Sequence, residues 1–388
     1  MHRVMLILAV SGLAALALAV GPGTEKTAEK PLQRRIAERT YPSVFQAWNP
    51  AENVKGESKL VTVARHDLIF HGPGFFGLRW KGKSYGLATA LKDESIVAGR
   101  KRRTKLLKLN PNLVLLAEIR YRDAWKGFLP AGHKWWMRGR DGKVAPGWAE
   151  GKFLKLDYTS ADYRAHVAAR CKAVVASGVV DGVMLDWWRD DEHRLALIKA
   201  VRAAVGEKAL IVANANDRTT PKTASYINGY FMECTRSKTP ADWKRIARTL
   251  RWSEHNLRKP RVNCLETWFH KSRRDLHLMR ATTTLALTHS DGYCLFGDPN
   301  PLPTPDHLHD WYPFWRRSLG RPKAKGRKRD DGAWQREFDK GTAVYNPMGN
   351  AKATVVFATP YKSLRTGKVG RTHELPACDG DIYLRKTD

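Results

Sequence analysis

The sequence predicts an α/β fold, a (β/α)8 TIM barrel followed by a small C-terminal β-sheet cap. Three observations lead there. Short runs rich in β-branched and aromatic residues alternate with longer helical patterns across residues 43–320, the beat of strand–helix units around a parallel sheet. The number of such runs is eight, as a closed barrel requires. No Gly-rich phosphate loop follows the first run, which disfavours the rival, a doubly wound nucleotide-binding sheet.

The eight strand runs span 44–48, 60–70, 113–119, 179–186, 209–213, 227–233, 262–267 and 292–296. Helical patterns are read at 95–109, 161–177, 192–205, 241–257 and 273–288. Too few residues separate the fifth and sixth runs for more than a helical turn. A long insertion, 121–159, follows the third run and carries Trp125, Trp135, Trp136 and Trp148. Loops of that length in compact domains are usually lids or binding loops. The segment 321–333 opens with Arg-Pro-Lys-Ala-Lys-Gly-Arg-Lys-Arg and is read as a basic linker. Beyond it, 334–388 holds short strand patterns at 341–345, 353–357, 373–375 and 381–384, the expected cap.

At the other end, Arg3 precedes an apolar run from Val4 to Val20 with a small-x-small site at Ala17-Leu18-Ala19. This pattern is that of a secretory signal peptide, 1–19, and implies a secreted or periplasmic protein. A polar arm, 20–42, follows. No later stretch reaches a membrane-spanning length.

Composition narrows the classes. With 43% hydrophobic residues, wholesale disorder is excluded. Lys and Arg number 68 against 38 Asp and Glu, a net charge of +30, which suits an anionic partner. The leader pattern and the lack of a nucleic-acid-binding signature argue against DNA or RNA. Cys171, Cys234, Cys264, Cys294 and Cys378 show no CxxC spacing, so no metal site is read, nor any cofactor. Four of the five sit in apolar patterns and read as buried thiols.

The sharpest signal is internal. Asp181-Gly182-Val183-Met184-Leu185-Asp186 ends the fourth run, and Asn228-Gly229-Tyr230-Phe231-Met232-Glu233 ends the sixth. Asp291-Gly292-Tyr293-Cys294-Leu295-Phe296 repeats the opening with Phe in place of the acid. Side chains alternate along a strand, so Asp186 shares a face with Met184 and Glu233 with Phe231. If that face is the barrel interior, both acids crown the C-terminal rim, where barrel active sites lie. Two facing carboxylates are what glycoside hydrolysis needs. The bland alternative has them capping helices or pairing with basic residues.

Trp48, Trp187, Trp188 and Trp268 lie at strand ends and offer flat faces for the C–H side of a sugar ring. Gln46, Asp67, Glu118, Asn214, Asn216 and Glu266 are candidate partners for its hydroxyls.

Here the chain resembles a known group. Val180 to Asp186 resembles the fourth-strand motif of glycosidase barrels, and Asn228 to Glu233 their sixth-strand partner. His66-Asp67-Leu68-Ile69 is similar to their second strand, and Gly341-Thr342-Ala343-Val344-Tyr345-Asn346-Pro347 to the start of their C-terminal sheet. Over about 40–385 the chain resembles the hypothetical glycosyl hydrolase-like family 15, akin to endo-α-1,4-polygalactosaminidases and, more remotely, α-galactosidase-like barrels. The resemblance implies a hydrolase of polysaccharides or oligosaccharides, with Asp186 as nucleophile and Glu233 as general acid/base. The Trp-rich insertion departs from the shorter pattern of that group. Two rivals stand beside this reading: a non-catalytic glycan-binding barrel and a basic cell-surface attachment protein.

Overall fold

Eight strands pair in parallel and in chain order: β1 (Phe45–Ala47), β2 (Leu68–His71), β3 (Val114–Glu118), β4 (Gly182–Leu185), β5 (Leu210–Asn214), β6 (Gly229–Cys234), β7 (Cys264–Trp268) and β8 (Tyr293–Gly297). A parallel bridge between Val44 and Cys294, with the Cys294 amide donating to Ser43 O at 2.9 Å, brings the last strand back to the first. The computed structural model describes residues 29–82, 84–298, 307–316 and 318–385; the expected signal peptide and the start of the arm lie outside them.

The strands are short and almost wholly buried, as expected of a sheet covered on both faces. Phe45, Phe70 and Phe231 meet inside, with ring centroids 4.9–5.9 Å apart, and plug the barrel beneath its C-terminal rim.

The repeated Asp/Asn-Gly opening has a structural cause at the opposite rim. A Cβ on Gly182, Gly229 or Gly292 would run into the backbone carbonyl of Leu210, Val262 or Asn263 on the neighbouring strand. The polar residue ahead of each strand closes the ladder. Asp181 accepts the Leu115 amide at 2.9 Å, Asn228 the Ile211 amide at 3.1 Å, and Asn263 the Tyr230 amide at 2.9 Å.

Asp67 belongs to this device. It accepts the Val44 amide at 3.1 Å at the N-terminal end of β2, and burial pushes its carboxyl up to about 6. The expectation that it binds substrate is corrected accordingly: it sits at the far end of the barrel.

Among the described residues seven helices surround the sheet: α1 (Leu32–Glu38), α2 (Lys59–Ala64), α3 (Asp93–Leu109), α4 (Ala161–Ala176), α5 (Glu192–Val205), α6 (Pro240–Asn256) and α7 (Leu276–His289). Between β5 and β6 only a 3-10 turn, Ala224–Tyr226, remains. The run 60–70 is not one strand. Ser58 caps α2 over its first part, its side chain accepting the Val61 amide, and β2 begins only at Leu68. Helix α1 docks on the barrel through Arg35, which is buried and pairs with Asp181 as Arg103 does.

The second sheet is antiparallel: β9 (Arg327–Lys328), β10 (Trp334–Phe338), β11 (Gly341–Asn346), β12 (Ala353–Ser363), β13 (Val369–Leu375) and β14 (Asp379–Arg385), in the order β9-β10-β11-β14-β12-β13. It is clamped to α7 by the Arg280–Asp379 pair, at 2.7 and 2.8 Å, and by Arg336, which donates to Leu287 O and Ser290 O. The basic run expected as a linker supplies β9, the outer edge of this sheet. All five cysteines are free thiols, four of them buried. Among the described residues no helix is long and apolar enough to cross a membrane.

Candidate active site

The strand ends carry Glu118 on β3, Asn214 on β5, Glu233 on β6 and Glu266 on β7 to one rim, and Asp186 follows β4 directly. Asn214 joins two of them: its Nδ2 donates to Asp186 Oδ1 at 2.8 Å and to Glu233 Oε2 at 2.8 Å. Its Oδ1 accepts the Asn216 amide at 3.2 Å, which fixes the side-chain orientation with the NH2 toward the acids. Two oxygens each 2.8 Å from one nitrogen are at most about twice that far apart. The nearest oxygens of the two carboxyls therefore lie within about 5.6 Å of each other.

The aromatic plug lies directly beneath this rim, and both acids are half-buried. Burial raises the Asp186 carboxyl to about 6, with Glu118 adding to the rise. Burial also raises Glu233, to about 8; His307 pulls it down, while Asp186 and Glu266 push it further up. At neutral pH the first is mostly ionised and the second mostly protonated, the split that separates a nucleophile from an acid.

Trp48 Nε1 donates to Glu118 Oε2 at 2.9 Å, and its ring lies edge-on against Phe70 and over His307. Glu266 is fully buried and receives His307 Nδ1 at 2.8 Å. The cleft beside the acids, about 260 Å³, is walled by Trp48, Trp148, Trp187 and His71. A second chamber of about 230 Å³ shares Trp48, His71 and Arg120 with the first and continues to Tyr85, Trp125 and Phe128.

Backbone strain concentrates here. Of the six non-glycine residues with positive φ among the described residues, three line the cleft, Trp48 (50°), Trp187 (57°) and His307 (59°), and a fourth, Asn216 (52°), bonds the Glu233 backbone beside it. For a bulky side chain such a conformation costs on the order of 1–3 kcal/mol and persists where neighbours enforce it, commonly at functional sites.

The structure thus gathers Asp186, Glu233, Asn214, Trp48, Glu118, Glu266 and Trp187, the last 40% exposed at the mouth with Arg122 stacked 4.3 Å from its ring centre. Asn216 holds the rim, donating Nδ2 to Glu233 O at 3.0 Å. Gln46 is buried and spends its amide on Trp48 O. Trp188, expected to bind substrate, turns away: it is buried, with Nε1 on Thr223 and its ring edge-on to Tyr121, and lines neither chamber. Trp268 ends β7 half-buried and is not among the residues walling either chamber. Sequence reasoning missed His71, Arg120 and His307.

The insertion is ordered around a hairpin, Asp123–Ala124 with Leu154–Lys155. Its tryptophans divide. Trp148 and Trp125 face the two chambers. Trp136 is buried with Nε1 on Pro130 O, and Trp135 packs on Tyr163 and His166 of α4, so these two of the four tryptophans in the expected binding loop line neither chamber. Charge is not gathered at the chambers either. Arg120 and Arg170 line them beside Asp186, Glu233 and Glu118. No group of three or more potential metal ligands occurs among the described residues.

No protein-family model matches the chain. No curated protein matches it. Solved structures do. A noncanonic maltogenic alpha-amylase from Thermotoga neapolitana is 10% identical with a TM-score of 0.53, over 89% of this chain and 99% of that one. An alpha-amylase from Malbranchea cinnamomea is 9% identical with a TM-score of 0.52, over 92% and 97%. A cyclic alpha-maltosyl-(1→6)-maltose hydrolase from Arthrobacter globiformis is 11% identical with a TM-score of 0.51, over 91% and 99%. What the chain shares with these glycoside hydrolases is the fold: a (β/α)8 barrel carrying a C-terminal antiparallel sheet.

Proposed function

We propose that this protein is a glycoside hydrolase that cleaves a polysaccharide or oligosaccharide by double displacement, with retention at the anomeric carbon. One observation carries the reading: Asp186 and Glu233 share the Asn214 amide in a site that keeps one ionised and the other protonated. Asp186 attacks the anomeric carbon while Glu233 gives its proton to the departing oxygen. The aglycone leaves, and a glycosyl ester on Asp186 remains. Glu233, now ionised, takes a proton from water, whose oxygen attacks the same carbon and releases Asp186. The Asn214 N–H groups stabilise both carboxylates as charge passes between them. Tryptophan walls suit sugar rings, and two joined chambers suit a chain of more than one sugar. The glycosidase folds above and the resemblance to family 15 barrels support the same class. The test is hydrolysis across a broad polysaccharide panel, with Asp186→Asn and Glu233→Gln alongside. Release of reducing ends by the wild type alone is expected. Equal release by either variant removes that residue from the chemistry.

A further inference from the structure

The positive charge of the chain finds its place away from the cleft. A groove of about 820 Å³ opens beneath the barrel, at the N-terminal ends of the strands. Lys259 and Arg261, after α6, form one wall; Arg321, Lys323 and Lys325 form the other. The two carboxylates within it are engaged: Glu254 accepts from Asn263 and Ser290, and Asp291 pairs with Arg336. Lys259, Lys323 and Lys325 are exposed and make no ion pair among the described residues.

The same basic run continues along β9 to Lys328, which lines a second groove of about 500 Å³ between α6 and the C-terminal sheet. That groove has no carboxylate in its walls. It adds Lys244 and Arg251, the latter stacked 5.0 Å from the Trp334 ring centre. Arg321 to Lys328 is eight residues, at most roughly 25 Å of extended chain. One ridge therefore borders two cationic grooves.

We propose that this ridge and its two grooves form a binding site for an acidic polysaccharide, separate from the catalytic cleft and holding the protein on a uronate-bearing polymer. Regularly spaced carboxylates match a line of unpaired ammonium groups. Trp334 carries Arg251 over its ring and packs against His289, so the cations of the ridge are the groups that meet the polymer. The choice of a sugar polymer over a nucleic acid rests on the glycosidase reading of the cleft; the site itself does not.

Binding is measured by affinity electrophoresis in gels containing polygalacturonate, dextran or single-stranded DNA. The protein carries Asp186→Asn in every arm, so that hydrolysis cannot alter the matrix. Retardation by polygalacturonate and not by dextran is expected, with loss between 0.1 and 1 M salt as screening shortens to about 3 Å. Lys259→Ala/Lys323→Ala/Lys325→Ala should weaken it about tenfold, and the corresponding Lys→Arg triple should restore it. The lysines are exposed, and an unchanged melting temperature shows that folding is intact. No retardation by polygalacturonate, an unchanged triple variant, or tighter retention by DNA each overturns the proposal. None of these outcomes depends on whether the wild type cleaves a glycan.

Discussion

Asp186 and Glu233, 47 positions apart in the sequence, accept hydrogen bonds from the same nitrogen, Asn214 Nδ2, at 2.8 Å each. This arrangement ties their protonation together, brings their nearest oxygens within about 5.6 Å and makes Asn214 the third member of the site.

The first consequence is a bell-shaped pH profile. Asp186 must be ionised to attack, so kcat/KM rises with pH through about 6. Glu233 must be protonated to assist departure, so activity falls as pH passes about 8. The limbs belong to the coupled pair. Rates across pH 4–10 check this; a profile flat from 5 to 9 contradicts it.

Asn214→Ala removes the hydrogen bonds that lower both carboxyls. Both limbs should move to higher pH, and kcat should fall by roughly 10²–10³, as when one preorganised donor is lost. A lower kcat with unmoved limbs assigns Asn214 a purely steric part.

The tryptophans of the insertion should separate by function. Trp125 is 38% exposed over the second chamber, and Trp148 walls the first. Replacing either with Ala should weaken binding of a long oligosaccharide by about 1–3 kcal/mol, read from KM or calorimetry. Trp136→Ala should instead lower the melting temperature by an amount corresponding to about 3–5 kcal/mol, because it empties a buried site.

Helix α1 offers a test of the scaffold. Arg35 and Arg103 converge on buried Asp181, whose carboxyl they hold below its usual range against the upward pull of burial. Arg35→Ala leaves that charge half-compensated and should destabilise the fold by about 3 kcal/mol in denaturant titration. A change within 0.5 kcal/mol would mean that Arg103 suffices.

The legible part of this molecule was whatever repeats. Alternation along 181–186 and 228–233 located both acids, because strand side chains keep one face. The same pattern mixed two causes, and only the structure separates them: the Asp/Asn-Gly opening closes ladders at the lower rim, and the terminal acid serves the upper one. Asp67 was misplaced for that reason. The run 60–70 hid a helix because its β-branched residues suit a strand, while the Ser58 cap decides otherwise. His71 was findable as the last residue of β2, the position equivalent to a rim acid. His307 follows β8 outside any periodic element, with positive φ. Nothing in its local sequence marks it, since its place depends on Glu266, 41 residues away.

The most direct test of the account follows the anomeric configuration of the first-released product by NMR, on an oligosaccharide that the hydrolysis panel shows to be cleaved. The proposed double displacement, in which Asp186 attacks and Asn214 draws the two acids together, predicts retention. A product that first appears with inverted configuration would contradict the assignment of Asp186 as nucleophile.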